Sequence, residues 1–259
     1  MIVPHEGPGT WQSFLRRKDN IGLSIMEAKQ KYLKEQMVFE SYFQNLSTVS
    51  TVSTAAAGAA GGPAPSTGGG GFTPITDSNL VTAKNLWFSD QAAAEAEYGP
   101  IGEWNTTAVT NMDFLFFLTS FNEDISGWDV SNVTTMRNTF RLSPFNQDIS
   151  GWDVSSVTSF NSMFDSAASF DQDLSSWDIA NSVSDLGDMF TNSGLSRANY
   201  DAILIGWSSY TFTNNSINFG AAPTKYSGGD AANARAVLTN APNNWTITDG
   251  GLYDPFAKQ

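Results

Sequence analysis

A phrase of about fourteen residues occurs three times in succession, and it restricts the fold more than any other feature. The run from Phe121 to Thr134 (FNEDISGWDVSNVT) returns from Phe145 to Thr158 (FNQDISGWDVSSVT). Loosened by one inserted residue, it returns again from Phe170 to Ser184 (FDQDLSSWDIANSVS), and a fainter version precedes all three. A unit of 24 to 25 residues is too small to bury its own apolar face, so it must stack on its neighbours. The expected class is α/β: a short solenoid in which each unit supplies a strand and a helical turn.

Aligning the units on tryptophan produces columns. Trp104, Trp128, Trp152 and Trp177 are followed by Val109, Val133, Val157 and Val183. Next come Met112, Met136, Phe160 and Leu186, then Phe116, Phe140, Phe164 and Phe190, while Phe121, Phe145 and Phe170 begin the following turns. Coils stacked at about 4.8 Å would place each side chain on its counterpart. Burying each is worth about 1.5–3 kcal/mol, and with no cysteine in the chain this burial is the expected source of stability. Within a unit, Trp-Asp-Val alternates like a strand, and the Met or Phe and the Phe four residues on are spaced as on a helical turn. An exposed tryptophan ladder for stacking on sugars is the other reading. The apolar neighbours Ile125 and Val130, Ile149 and Val154, Leu174 and Ile179 favour core.

Two polar columns accompany them, Asp124, Asp148 and Asp173, and Asp129, Asp153 and Asp178. Carboxylates in register repel unless each accepts backbone N–H bonds or shares a cation. We expect turn acceptors repeated because the turn repeats; a row of bound Ca²⁺ is the alternative, although the spacing matches neither the Gly-rich Ca²⁺ nonapeptide nor the EF-hand loop.

Four zones follow from composition. Residues 1–46 hold an extended arm, with Trp11, Phe14, Arg16 and Arg17 close together, and then one helix. Ser24 and Glu27 form a capping box at its start, and Ile25, Tyr32, Phe39 and Leu46 recur every seven residues with Phe43 beside them. That stripe packs either on the protein's own body or on another chain. Residues 47–72 are rich in Ser, Thr, Ala, Gly and Pro and read as a flexible linker, which favours a contact elsewhere: an oligomerisation or docking helix. Residues 73–194 hold the repeats, with a leading element over Thr76–Ala83 and a helix over Asp90–Tyr98. Residues 195–259 lose the pattern and are expected to cap the stack. Within them we expect a helix from Asn199 closing at Gly206, a strand over Ser216–Gly220, a helix over Asp230–Thr239 and a strand over Trp245–Thr248.

Composition narrows the chemistry. The net charge is −13, and it is uneven: residues 1–46 hold six Lys/Arg against five acids, the other 213 residues seven against 21. Binding of nucleic acid through its phosphates is not expected of such a body. The single histidine, His5, lies in the arm, which leaves no Ser-His-Asp device or histidine zinc site in the folded part. Paired acids for glycoside hydrolysis are the remaining catalytic reading, but a catalytic pair should be unique and these acids repeat. No catalytic residue, cofactor or metal is assigned. No run reaches the roughly 18 apolar residues of a membrane span. The first residues lack a basic stretch followed by an apolar one, so assembly and use without Sec export are expected.

The repeated phrase, followed by Met-x-x-x-Phe, resembles the BspA-like leucine-rich repeat of bacterial surface proteins. The tail from Tyr200 to Gly251, with Ile205-Gly206-Trp207 and Trp245 to Gly250, is similar to the segment that often ends such repeats. This likeness covers about residues 98–251 and implies a strand-plus-helix solenoid used in adhesion or recognition. The stretch from Pro4 to Phe14 and on through Lys29 to Leu33 resembles the N-termini of structural proteins in tailed phages of marine bacteria. Together the two imply a virion structural protein, a fibre, spike or decoration, assembled in the host cytoplasm. Trp11, Phe14, Arg16 and Arg17 would dock on other virion proteins, the helix would build a homo-oligomer with a trimer favoured, and the solenoid would face a host surface glycan or protein. The alternative is a bacterial cell-surface adhesin.

Overall fold

Successive coils lie on one another in parallel register in the computed structural model, which describes residues 71–256. Single parallel bridges join Asn111 to Thr135, Thr135 to Ser159, and Ser159 to Asp185. Four N–H groups of one coil, on Met112, Phe114, Phe116 and Leu118, donate to the carbonyls of Thr135, Arg137, Thr139 and Arg141 at 2.9–3.0 Å. The same four rungs run from Met136, Asn138, Phe140 and Leu142 to the next coil, and from Phe160, Ser162, Phe164 and Ser166 to the one after. The intervening peptides close short turns, such as Leu115 N–H to Met112 C=O and Phe117 N–H to Phe114 C=O.

This backbone differs from the expected helical turn. Between Trp104 and Leu195 there is no α-helix and no strand longer than a single bridge. Instead, two residues per coil have positive φ: Phe114 and Leu118, Asn138 and Leu142, Ser162 and Ser166, Asp188 and Asn192. A left-handed residue at every fourth position lets alternate peptides point along the stack while those between turn back on the coil. The physical reason for the difference lies in the spacing. Four residues is close to one helical turn and is also twice the strand period, so Met112 and Phe116 face the core under either geometry.

The columns fill that core. Phe116, Phe140, Phe164 and Phe190 are fully buried, and successive rings stack with centroids 5.6–5.7 Å apart and planes within 9° of parallel. Each coil also folds a second phenylalanine onto its own: Phe121 on Phe116 at 3.7 Å, Phe145 on Phe140 at 3.9 Å, Phe170 on Phe164 at 3.7 Å.

Different structure closes each end. At the start, α1 (Leu80–Ser89) and α2 (Gln91–Tyr98) turn Leu80, Ala83, Ala94 and Tyr98 inward. Asp90 caps α2 by accepting the Ala93 N–H. The leading element expected at Thr76–Ala83 is thus a helix that starts later and runs further, because Thr76 is taken up by a parallel bridge to Ala108. At the far end come α3 (Arg197–Ser208), β1 (Asn218–Gly220), α4 (Asp230–Thr239) and β2 (Thr246–Thr248). Phe219 bridges Leu186, and β1 pairs in parallel with β2, so the ladder of the coils continues into the cap. α3 packs on α4. The Tyr200 hydroxyl donates to Asp249 at 2.9 Å, and Arg235 holds the same carboxylate at 2.7 Å. Burial, with the Asp249 charge, pushes the Tyr200 hydroxyl far above its ordinary value.

Gly206 does not close α3 as expected but sits inside it. A methyl group there would collide with the carbonyl of Ser175, so the glycine marks the place where the helix presses on the last full coil. Among the described residues, no helix is long and apolar enough to cross a membrane.

Candidate recognition surface

The core seals itself, so the surface that the coils present is made largely by their outer polar columns. The tryptophans belong to the core. Trp104, Trp128, Trp152 and Trp177 are buried, and each indole N–H is tied to a carbonyl: Gly99 for Trp104, then Ile101, Ile125 and Ile149, at 2.7–3.2 Å. From the second onward each acceptor lies in the preceding coil. Trp207 repeats the device from α3, donating to Leu174 O at 3.1 Å. Its distance of thirty residues from Trp177 breaks the period, which hid it in the sequence. The indole N–H groups of Trp87 and Trp245, at opposite ends of the stack, have no acceptor among the described residues.

Both aspartate rows are exposed and shaped by turns. Asp124, Asp148 and Asp173 each accept the N–H two residues on, from Ser126, Ser150 and Ser175, at 2.9 Å. Asp129 and Asp153 accept both the hydroxyl and the N–H of Ser131 and Ser155, and Asp178 accepts the Ala180 N–H. The Ser126 and Ser150 N–H groups hold Asp124 and Asp148 below the ordinary carboxylate range. The Ser131 and Ser155 hydroxyls do the same for Asp129 and Asp153. Charge repulsion from Asp124 on Asp148, and from Asp129 on Asp153, acts in the opposite direction and is smaller. Segments 121–133, 145–157 and 170–183 contain no Lys or Arg, so this side of the stack is uniformly anionic. Among the described residues, no group of three or more His, Cys, Asp or Glu side chains is placed to hold a metal ion.

A third column was legible only in part. The Asn122 side-chain oxygen accepts the Asn146 N–H at 2.8 Å and the Gln147 amide at 3.1 Å. Asn146 in turn accepts from Asp171 and Gln172, and Asp171 from the N–H of Ser196 and the amide of Asn199. The ladder therefore hands the stack on to the first turn of α3, where Ser196 is the N-cap. The available signal was an amide six residues before Trp128 and again before Trp152.

On the bridged face, Arg137 forks onto Asp113 and Arg141 pairs with Asp165 at 2.7 Å. Thr134 and Thr158 bond the Thr110 and Thr134 carbonyls of the preceding coil. Asp77 tops this row, accepting the N–H groups of Thr110 and Asn111. Burial pushes its carboxyl up, but these bonds and the Thr110 hydroxyl outweigh it and leave it lowered.

The residues expected to dock on a particle, Trp11, Phe14, Arg16 and Arg17, lie outside the described residues. So do Ile25, Tyr32, Phe39, Phe43 and Leu46 of the expected oligomerisation helix.

No curated protein and no solved structure matches the chain with significance. Residues 84–203 do match a family model, described as "Mycoplasma protein of unknown function, DUF285", which takes in most of α1, all of α2, the coils and the first half of α3. The match spans the coils and is compatible with a BspA-like protein.

Proposed function

We propose that the chain is a display protein whose stacked coils form a short leucine-rich-repeat-type solenoid for recognition, not catalysis. One observation carries this reading: the polar columns are exposed and repeat in register, while the apolar ones are consumed in the core. Such an array offers a partner a ruled surface with the same group every coil. A catalytic centre needs a unique constellation, and the aspartates that repeat are occupied as turn acceptors.

The setting we propose is a virion: a fibre, spike or decoration of a tailed phage, fixed by residues 1–46 and carrying the coils toward a host surface glycan or protein. The arm with Trp11, Phe14, Arg16 and Arg17 would contact other virion proteins. Residues 24–46 would assemble the copies, most simply as a trimer. Support comes from the likeness of the N-terminal stretch to phage structural proteins and from the change in composition at residues 47–72. The family description names a cellular organism, and that favours the second reading, an adhesin of a bacterial cell surface. Mass spectrometry of purified particles decides between them. Peptides of the chain at stoichiometric level are expected; their absence from particles, with recovery from the cell-surface fraction, would overturn the virion reading. A reducing-end assay on polysaccharides should stay at baseline, and sugar release would overturn the non-catalytic reading.

A further inference from the structure

The ladder loses a rung where the coils meet the cap. In every earlier junction four alternate N–H groups donate to four alternate carbonyls. At the last, Leu186, Phe190 and Asn192 donate to Asn218, Gly220 and Ala222, and Asp188 is passed over. Its N–H has no acceptor among the described residues. β1 comes so close at this point that a methyl group on Gly220 would collide with the Asp188 nitrogen. Beside the skipped rung lies a depression of about 220 Å³, lined by Asp188, Asn218, Phe219, Thr246 and Thr248 with Gly187 and Gly220.

The rim is chemically distinct from the rest of the stack. The asparagine and threonine columns bond from coil to coil, and the aspartate rows bond within their own turns. Here the Asn218 amide and the Thr246 and Thr248 hydroxyls, all on exposed residues, make no hydrogen bond to a described residue. Among the described residues, the Asp188 carboxylate accepts only the Thr191 hydroxyl, at 3.1 Å. Four polar side chains thus border one shallow space: an amide and two hydroxyls, each of which both donates and accepts, and one carboxylate. A phosphate or carboxylate ligand would meet the Asp188 charge. The volume is below the roughly 300–1,000 Å³ of sites for drug-sized ligands and suits a single ring.

We propose that this depression binds one pyranose residue of a surface glycan. A hydroxyl pair on a sugar ring would accept from the Asn218 amide and donate to the Asp188 carboxylate. The threonine hydroxyls would take the adjoining positions. The biological setting rests on the host-contact reading above, but the binding chemistry does not.

The test uses the full chain, labelled with ¹⁵N, titrated with the methyl glycosides of glucose, galactose, mannose and N-acetylglucosamine. At least one should shift the amide signals of Asp188, Gly220 and Thr246 to Thr248 with a midpoint on the order of millimolar. Asn218→Ala and Thr246→Val, both at exposed positions, should each weaken that midpoint by about tenfold and leave the rest of the spectrum in place. No shift by any of the four, shifts centred elsewhere, or an affinity unchanged in Asn218→Ala would overturn the proposal. So would the same response to inorganic phosphate or calcium chloride. Sugar binding by a chain absent from particles would sink the virion reading alone, and its failure in a chain found on particles would sink this one alone.

Discussion

Replacing Phe140 by alanine is the sharpest test of how the coils hold together. The ring is fully buried and touches one phenylalanine on each side in its column, Phe116 at 5.6 Å and Phe164 at 5.7 Å, plus Phe145 face to face at 3.9 Å. Truncating a buried phenylalanine costs about 3–5 kcal/mol through lost burial and the cavity left behind. Stacked pairs add about 0.5–1.5 kcal/mol each beyond area, so Phe140→Ala belongs at the upper end, near 5 kcal/mol. For a domain of this size that lowers Tm by about 10–20 °C. Phe116 stacks on a neighbouring coil on one side only, and Phe116→Ala should cost about 1 kcal/mol less. Phe140→Leu keeps most of the burial and loses the stacking, for about 1–1.5 kcal/mol. Urea unfolding followed by circular dichroism gives all three, with Phe256→Ala as the control because that ring is 90% exposed. A loss below about 2 kcal/mol for Phe140→Ala, where cavity costs alone exceed that, would refute the stacked column as the main support of the coils.

Further predictions concern the bonds between coils. Trp128→Phe removes an indole N–H held at 2.7 Å by Ile101 O and leaves that carbonyl with only the longer 3.4 Å bond from the Trp104 N–H, for about 0.5–1.5 kcal/mol; Trp152→Phe, whose bond is 3.2 Å, should shift the urea midpoint less. Gly206→Ala reverses the usual sign for a helix interior, where alanine stabilises by about 0.5–1 kcal/mol: the collision with Ser175 should destabilise by about 1–3 kcal/mol, and a raised Tm would show that α3 does not press on the coil. Arg141→Ala strands Asp165, whose side chain is only 9% exposed, and should cost about 2–3 kcal/mol, whereas Arg137, 53% exposed, should cost at most about 1 kcal/mol. The lowered carboxyls of Asp124, Asp129, Asp148 and Asp153 stabilise the fold above the unfolded carboxylate value of about 3.9. That contribution disappears as pH falls through their lower folded values. Asp148→Asn keeps a turn acceptor without a titration, so urea midpoints measured from neutral to acid pH should fall less steeply than in the parent.

Reading by column served well where a side chain has one role. Trp128, Val133, Met136 and Phe140 recur at fixed offsets and are all buried, because the stack repeats an environment whenever it repeats a position. The helices over Gln91–Tyr98 and Asp230–Thr239 were equally visible, since Asp90 is a strong N-cap and both runs are rich in alanine. The path of the backbone between the columns was not. Phe114 and Leu118 take left-handed conformations that nothing in their chemistry favours, and they do so because the coil above supplies the acceptors. Asn138, Ser162 and Asp188 at the equivalent position are better suited to it.

By itself the sequence determined the repeat and the residues that recur in the buried columns, because a unit of 24 residues cannot bury a tryptophan and two or three phenylalanines alone. Tertiary structure decided what the coils leave uncovered. The aspartate rows became turn acceptors, the asparagine ladder became the link to the cap, and the ladder lost a rung at Asp188, beside a depression lined by polar residues of β1 and β2. The aspartate turns are local, two residues long, but the ladder depends on hydrogen-bond partners some 24 residues away in the chain, and such pairings exist only once one coil has settled on the next.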